Sequence, residues 1–173
     1  ATQLVRGGLN RSAFAETCEA IYMTSGYIYE NAEQAERAFK GDEKRYIYSR
    51  YANPTVTMLE TRLALLEGTK FCRATASGMA AVFASLISQL KAGDRVVASR
   101  ALFGSCHFII SDLLPRYGIK TEFVDGTDLG QWKKALRRKT ACVFLETPSN
   151  PTLEIIDLVA VAELAHKAGA RLV

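Results

Sequence analysis

The sequence predicts an α/β fold: a mostly parallel sheet with helices on both faces, entered through an extended N-terminal arm. Three observations carry this. From residue 53 onward, short apolar runs alternate at least three times with helix-length segments, the order that builds parallel βαβ units. Cap residues stand where those helices need them, with Asn53-Pro54, Asp128 and Asp157 at starts and Gly68, Gly93 and Gly169 past ends. Before residue 53, sustained periodicity is missing and Tyr22, Tyr27, Tyr29, Tyr46 and Tyr48 crowd together.

Residues 1–52 read as the arm, in which only Ala32 to Phe39 has a helical pattern. So many aromatic rings must pack on something, and a neighbouring subunit is the expected surface. Residues 53–173 read as the first part of an α/β domain. Pro54 takes the first helical position after Asn53, and Val56, Leu59, Leu63 and Leu66 recur on one helix face up to Gly68. Residues 78–91 are apolar almost all round, which predicts a helix buried in the middle of the fold. Arg95 to Ser99 reads as a short buried strand, and residues 105–117 as a helix whose last turn Pro115 kinks or shortens. Lys120 to Asp125 is the next strand; Asp128 then caps a helix bearing Trp132 and Leu136.

Ala141 to Glu146 has the continuous apolar character of an interior parallel strand. Asp157 opens a helix with Leu158, Val161, Ala165 and Ala168 on one face and Glu163 paired to Lys167 at i,i+4. Arg171 to Val173 begins another strand. A chain stopping inside a core strand predicts a polypeptide that continues, because domains seldom end there without a cap.

Apolar residues at 49% and charged residues at 23% are the mix of a globular protein. The net charge of +4 is mild. The basic clusters Lys133-Lys134 and Arg137-Arg138-Lys139 fall on one helix without interleaved aromatics, which fits a solvated face and not a nucleic-acid site. No apolar run approaches the roughly 20 residues of a membrane span, and the N-terminus has no signal-peptide order, so a cytoplasmic protein is expected. Cys18, Cys72, Cys106 and Cys142 are scattered without CxxC spacing, and only His107 and His166 could join them. Free thiols and no metal are therefore expected. Cys106 and His107 are sequence neighbours, whose side chains diverge on any regular element.

Three segments can carry chemistry. In Tyr48-Ser49-Arg50-Tyr51-Ala52-Asn53-Pro54-Thr55, extended chain would point Tyr48 and Arg50 the same way, a phenol and a guanidinium suited to clamping an anion. In Ala76-Ser77-Gly78-Met79, a small residue and a glycine open a long helix, whose free N–H groups and dipole attract anions. In Glu146-Thr147-Pro148-Ser149-Asn150-Pro151, Asn150 follows a parallel strand, at whose carboxyl end ligands of open α/β sheets gather. No GxGxxG or GxxxxGK[ST] is present, which weakens dinucleotide and P-loop readings.

Taken together, YSRYANPT, ASGMAA and ETPSNP in this order resemble the Cys/Met-metabolism family of fold-type-I pyridoxal-phosphate (PLP) enzymes along essentially the whole chain. Within it, the arm and the segment RALFGSC are most similar to the branch acting on O-succinylhomoserine. The resemblance implies pyridoxal 5'-phosphate as cofactor, its phosphate held by Ser77, Gly78 and Met79 and, from a neighbouring subunit, by Tyr48 and Arg50. It implies that Phe103, where the family usually has tyrosine, stacks on the pyridine ring, and that Asn150 lies near the cofactor's phenolic oxygen.

The implied activity is γ-replacement on an O-acylhomoserine with sulfide, giving homocysteine in methionine biosynthesis, by a homo-oligomer that is a dimer of dimers. Cystathionine γ-synthase and a cystathionine or methionine γ-lyase are alternatives within the family; a non-catalytic α/β binding module is the alternative outside it. None of the nine lysines sits in the family's Ser-x-Thr-Lys setting. The cofactor lysine is thus expected beyond Val173, and this stretch by itself is expected to be inactive.

Overall fold

The computed structural model describes residues 2–173, which divide into two compact units on either side of the step from Ala74 to Thr75.

The first unit holds α1 (Thr2–Arg6), α2 (Ala32–Lys40) and α3 (Pro54–Glu67). The sequence reading finds α2 and α3 but not α1. Asn31 and Asn53 cap α2 and α3 by accepting the Gln34 and Thr55 N–H groups, and Gly41 and Gly68 end them in the left-handed conformation. Arg62 of α3 donates to the Gly7 carbonyl at 3.1 Å and pairs with Glu19, tying the N-terminal segment to α3. The periodic stripe of α3 is not its buried face: Val56, Leu59, Leu63 and Leu66 are 41, 52, 39 and 50% exposed, while Met58 and Ala64 are buried. The helix is apolar on nearly every side, so periodicity locates it without deciding which side packs.

The second unit is a four-stranded parallel sheet in the order β2-β1-β3-β4, formed by β1 (Arg95–Ser99), β2 (Lys120–Val124), β3 (Cys142–Phe144) and β4 (Arg171–Leu172). Side chains alternate across it. Val96, Ala98, Cys142 and Phe144 face a layer made by α4 (Gly78–Ile87), α5 (Gly104–Phe108) and α6 (Leu114–Arg116). Val97 and Val143 face the opposite layer, made by α7 (Leu129–Ala135) and α8 (Leu158–Lys167). The crossing from β1 to β2 moves one way over the first face. Those from β2 to β3 and from β3 to β4 move the other way over the second face. Right-handed crossovers require this pairing of direction and face.

Asp128 and Asp157 cap α7 and α8 as the sequence predicts. Trp132 is fully buried, with its indole N–H donating to the Gly126 carbonyl at 2.9 Å. Arg95, also buried, donates to the Ala135 carbonyl at 3.1 Å, to the Thr140 hydroxyl at 2.6 Å and to Glu122 at 2.5 Å.

Four expectations are corrected. The 78–91 helix stops at Ile87, and only Leu86 is fully buried, because the described residues cover one side of it and leave Ala80, Ala81, Ala84 and Ser85 exposed. The 105–117 segment is not one unbroken α-helix: Ile109–Leu113 widens to a π-helical turn in which the Leu114 N–H reaches the Ile109 carbonyl, and the helix around Pro115 ends at Arg116, one residue short of the expected Tyr117. Glu163 and Lys167 do not close to ion-pair distance, leaving two solvated charges. The other strands are one to three residues shorter than read from the sequence, whereas β1 spans the residues expected.

Candidate functional site

In the first unit, Tyr48 bridges Gly26 in an isolated antiparallel pair, and the chain then turns: the Tyr51 and Ala52 N–H groups both reach the Tyr48 carbonyl. The extended alternation assumed for Tyr48 and Arg50 is therefore wrong locally. The turn brings them together by another route. The Arg50 guanidinium lies 5.5 Å from the Tyr48 ring centre and 5.0 Å from that of Tyr51, the two rings meeting edge-on at 6.5 Å. Such stacking orients the guanidinium plane without using its donors. Arg50 has no hydrogen-bond or ion-pair partner among the described residues, so its N–H groups stay available to an anion. Tyr51 was not singled out from sequence; its part depends on the turn.

The turn is held by its neighbours. Ser49 N–H donates to the Ser25 carbonyl at 2.9 Å, and the buried Asn53 amide donates to the Tyr22 carbonyl and Ser49 hydroxyl, both at 2.9 Å.

In the second unit, chain order reverses across β1: β2 lies on one side of it and β3 on the other. That reversal is a switch point, and the loops leaving the carboxyl ends of β1 and β3 part there and open a crevice. The β1 loop carries Phe103, which is 43% exposed; the β3 loop carries Asn150, exposed and with no side-chain hydrogen bond among the described residues.

The amino end of α4 belongs to the same side of the sheet. Just past the other end of α4, Gln89 accepts from Arg171 at 3.3 Å, and Arg171 opens β4. The carboxyl end of α4 therefore lies by the strands' amino ends, and Ser77–Met79 point towards their carboxyl ends. Ser77 caps α4: its hydroxyl accepts the Ala80 N–H at 3.1 Å and its carbonyl the Ala81 N–H. The Gly78 and Met79 N–H groups are left with no acceptor among the described residues, as a helix start leaves them. A side chain at Gly78 would meet no heavy atom within 4 Å, so the approach to these donors is open. Open N–H donors at a helix start fit a phosphate, and an exposed ring and a free amide carried on the two loops that border a crevice fit a flat heterocycle.

Glu146 joins the two loops. One carboxylate oxygen accepts the Phe103 N–H at 2.9 Å and the other the Asn150 N–H at 2.7 Å. The β3 loop is laced further by Ser149, whose hydroxyl contacts that of Thr152 at 2.7 Å and accepts the Glu154 N–H at 3.0 Å. Its Thr147–Pro148 and Asn150–Pro151 bonds are cis. Cys106, one turn into α5, is buried, and burial and then the charge of Glu146 push its thiol upward, so it is held protonated. A depression of about 870 Å³ lined by Ser85, Gln89, Lys91, Asp94 and Arg171 lies at the strands' amino ends and away from this chemistry.

All four cysteines are free. Among the described residues, no three His, Cys, Asp or Glu side chains converge as metal ligands, and no helix is long and apolar enough to cross a membrane.

The sequence model of the Cys/Met metabolism PLP-dependent enzyme family matches residues 1–173. The chain is 58% identical over 173 residues to an O-succinylhomoserine sulfhydrylase of Mycobacterium tuberculosis, covering 100% of this chain and 43% of that protein. It is 41% identical over 165 residues to an L-methionine gamma-lyase of Fusobacterium nucleatum, covering 95% and 42%. Among solved structures, a putative O-acetylhomoserine (thiol)-lyase of Campylobacter jejuni, carrying pyridoxyl-lysine monophosphate, superposes with a TM-score of 0.90 at 34% identity, over 99% of this chain and 42% of that one. The chain thus spans less than half the length of each of these relatives.

Proposed function

Because the chain belongs to the Cys/Met metabolism PLP-dependent enzyme family, we propose that the whole protein is a cytoplasmic sulfhydrylase. It exchanges the acyloxy group of an O-acylhomoserine, O-succinylhomoserine in the first instance, for sulfide. The Cγ–O bond breaks and a Cγ–S bond forms, so that O-succinylhomoserine and hydrosulfide give homocysteine and succinate. The observation that carries this is 58% identity along all 173 residues to a sulfhydrylase of that name.

The residues present fit the cofactor's parts. Ser77, Gly78 and Met79 hold the phosphate, the last two through backbone N–H groups backed by the helix dipole. Tyr48 and Arg50 reach the phosphate of a neighbouring subunit in a dimer of dimers, which gives a role to the free guanidinium over its tyrosine rings. Phe103 stacks on the pyridine ring and, lacking a hydroxyl, moves no proton. Asn150 directs its amide to the phenolic oxygen. When bound, PLP supplies the electron sink that loosens protons on the amino acid's Cα and Cβ. The lysine that carries it, the aspartate at its ring nitrogen and the arginine for the substrate carboxylate are assigned outside these 173 residues. By this assignment, residues 1–173 alone form part of the cofactor cup and have no turnover.

The full-length protein, given O-succinylhomoserine and sulfide, is expected to release homocysteine and succinate. Turnover of cystathionine or methionine alone, with none of O-succinylhomoserine, refutes the sulfhydrylase reading in favour of a γ-lyase.

A further inference from the structure

We propose that Glu146 is the positioning residue of the cofactor crevice: one carboxylate ties the loop bearing Phe103 to the loop bearing Asn150 and so sets their separation. This rests on the assignment of both residues to the cofactor in the preceding section.

The topology creates the need. At a switch point the loops leaving β1 and β3 turn away from each other, so no strand pairing holds them in register beyond Ser99 and Phe144. Glu146 is placed to hold them, two residues past the end of β3 and still steadied by pairing, since the Leu145 N–H donates to the Val173 carbonyl at 3.1 Å. Each of its oxygens then takes one backbone N–H, from Phe103 at 2.9 Å and from Asn150 at 2.7 Å. Backbone donors cannot swing away as side chains can. The tie therefore acts on the main chain of the two residues that present a ring face and an amide to the ligand, and leaves both side chains free.

The chemistry needs glutamate. The two N–H donors reach different terminal atoms of the side chain, so in this arrangement each of those atoms must accept, and charge makes both bonds stronger than neutral ones. Glutamine has the same shape but offers one acceptor, so one of the two N–H groups would face an NH₂ donor. Aspartate has both acceptors on a stem one methylene too short to span the two loops.

The test uses the full-length enzyme with Glu146→Gln and Glu146→Asp, each resolved to the apoprotein and titrated with PLP. In Glu146→Gln, PLP affinity is expected to fall about tenfold, the loss of roughly one charge-assisted hydrogen bond. The circular dichroism of the bound cofactor, normalised to cofactor content, is expected to fall by at least half. In the apoprotein, amide hydrogen exchange at Phe103 and Asn150 is expected to quicken about tenfold or more, with distant strands unaffected. A variant that loses thermal stability but keeps wild-type affinity and dichroism overturns the proposal, because Glu146 then only braces the fold. Unchanged exchange at both amides also overturns it. If Glu146→Gln does not fold, Glu146→Asp carries the same readouts and the same refutations. Phe103→Ala and Asn150→Ala separate this inference from the reading beneath it. If both leave cofactor affinity and dichroism unchanged, the cofactor assignment itself falls; if they alter them and the Glu146 variants do not, the tie alone falls.

Discussion

Replacing Gly78 with alanine is expected to move stability and cofactor affinity in opposite directions. Gly78 is the first residue of α4, its φ lies outside the left-handed region, and a methyl there meets no protein atom within 4 Å. For the protein alone, alanine is therefore the better residue. It restricts the unfolded chain and favours helix, worth up to about 1 kcal/mol inside a helix and less at its first position. The melting temperature of the apoprotein is expected to hold or to rise by less than about 3 °C. For the ligand, the same methyl occupies the open approach to the Gly78 and Met79 N–H groups. Losing one charge-assisted hydrogen bond to phosphate costs about 1.5–3 kcal/mol, or roughly 10- to 150-fold in affinity. Thermal melts of the full-length apoprotein and equilibrium titration with PLP give both numbers. Unchanged affinity refutes the placement of phosphate at Gly78, and a melting point lower by several degrees refutes the open geometry on which the argument stands.

Arg50→Ala is expected to weaken PLP retention about tenfold in the full-length enzyme with little change in melting temperature, since the guanidinium has no hydrogen-bond partner among the described residues; equal retention, measured by dialysis and absorbance, removes Arg50 from the site. Arg95→Met strips the Arg95 donors from a buried cluster, leaving the Ala135 carbonyl only the Arg138 N–H at 3.4 Å and the Thr140 hydroxyl only its own bond to the Arg138 carbonyl at 2.9 Å, while half-exposed Glu122 regains water. We expect a loss of about 2–4 kcal/mol in denaturant titration, and a loss below about 1 kcal/mol contradicts the network. Burial raises the Cys142 thiol to about 11, a neighbouring Arg171 charge offsetting part of the rise. At pH 8 only about one molecule in a thousand carries that thiolate, and the fraction grows as pH rises towards 11. Peptide mapping after iodoacetamide treatment of the native protein should find exposed Cys18 modified and Cys142 unmodified; equal labelling contradicts its burial.

Features set by neighbours in sequence were legible. Asn53, Asp128 and Asp157 cap the helices they were expected to cap, because a cap needs only a side-chain oxygen two or three residues before an N–H group. The buried run Arg95–Ser99 matched β1 because every position in it faces one packed layer or the other. What failed depended on partners far along the chain. The apolar character of α4 says that both sides can be covered, not what covers them. The Tyr48–Arg50 pairing arises from a turn braced by residues 22–25, and alternation along a strand cannot represent it. Glu146 was visible at the head of a proline-rich loop, but its role needs Phe103, 43 residues away, brought to its second oxygen. The one available signal was a carboxylate at the end of an apolar strand, followed four residues later by the asparagine whose N–H it accepts.

The wide turn at Ile109–Leu113 has an angular consequence. Cys106, Ile110 and Leu114 are buried at steps of four residues. An α-helix advances about 100° per residue, so Leu114 would sit some 80° around the axis from Cys106. A turn closed by i→i+5 bonds spends roughly 4.4 residues per revolution and lags by about 18° per residue. Over the five residues of the segment that lag cancels the drift. Both side chains thus come to the same meridian and meet the same face of the sheet. Cys106, near the start of α5, and Leu114, at the start of α6, accordingly belong to one cluster against the sheet.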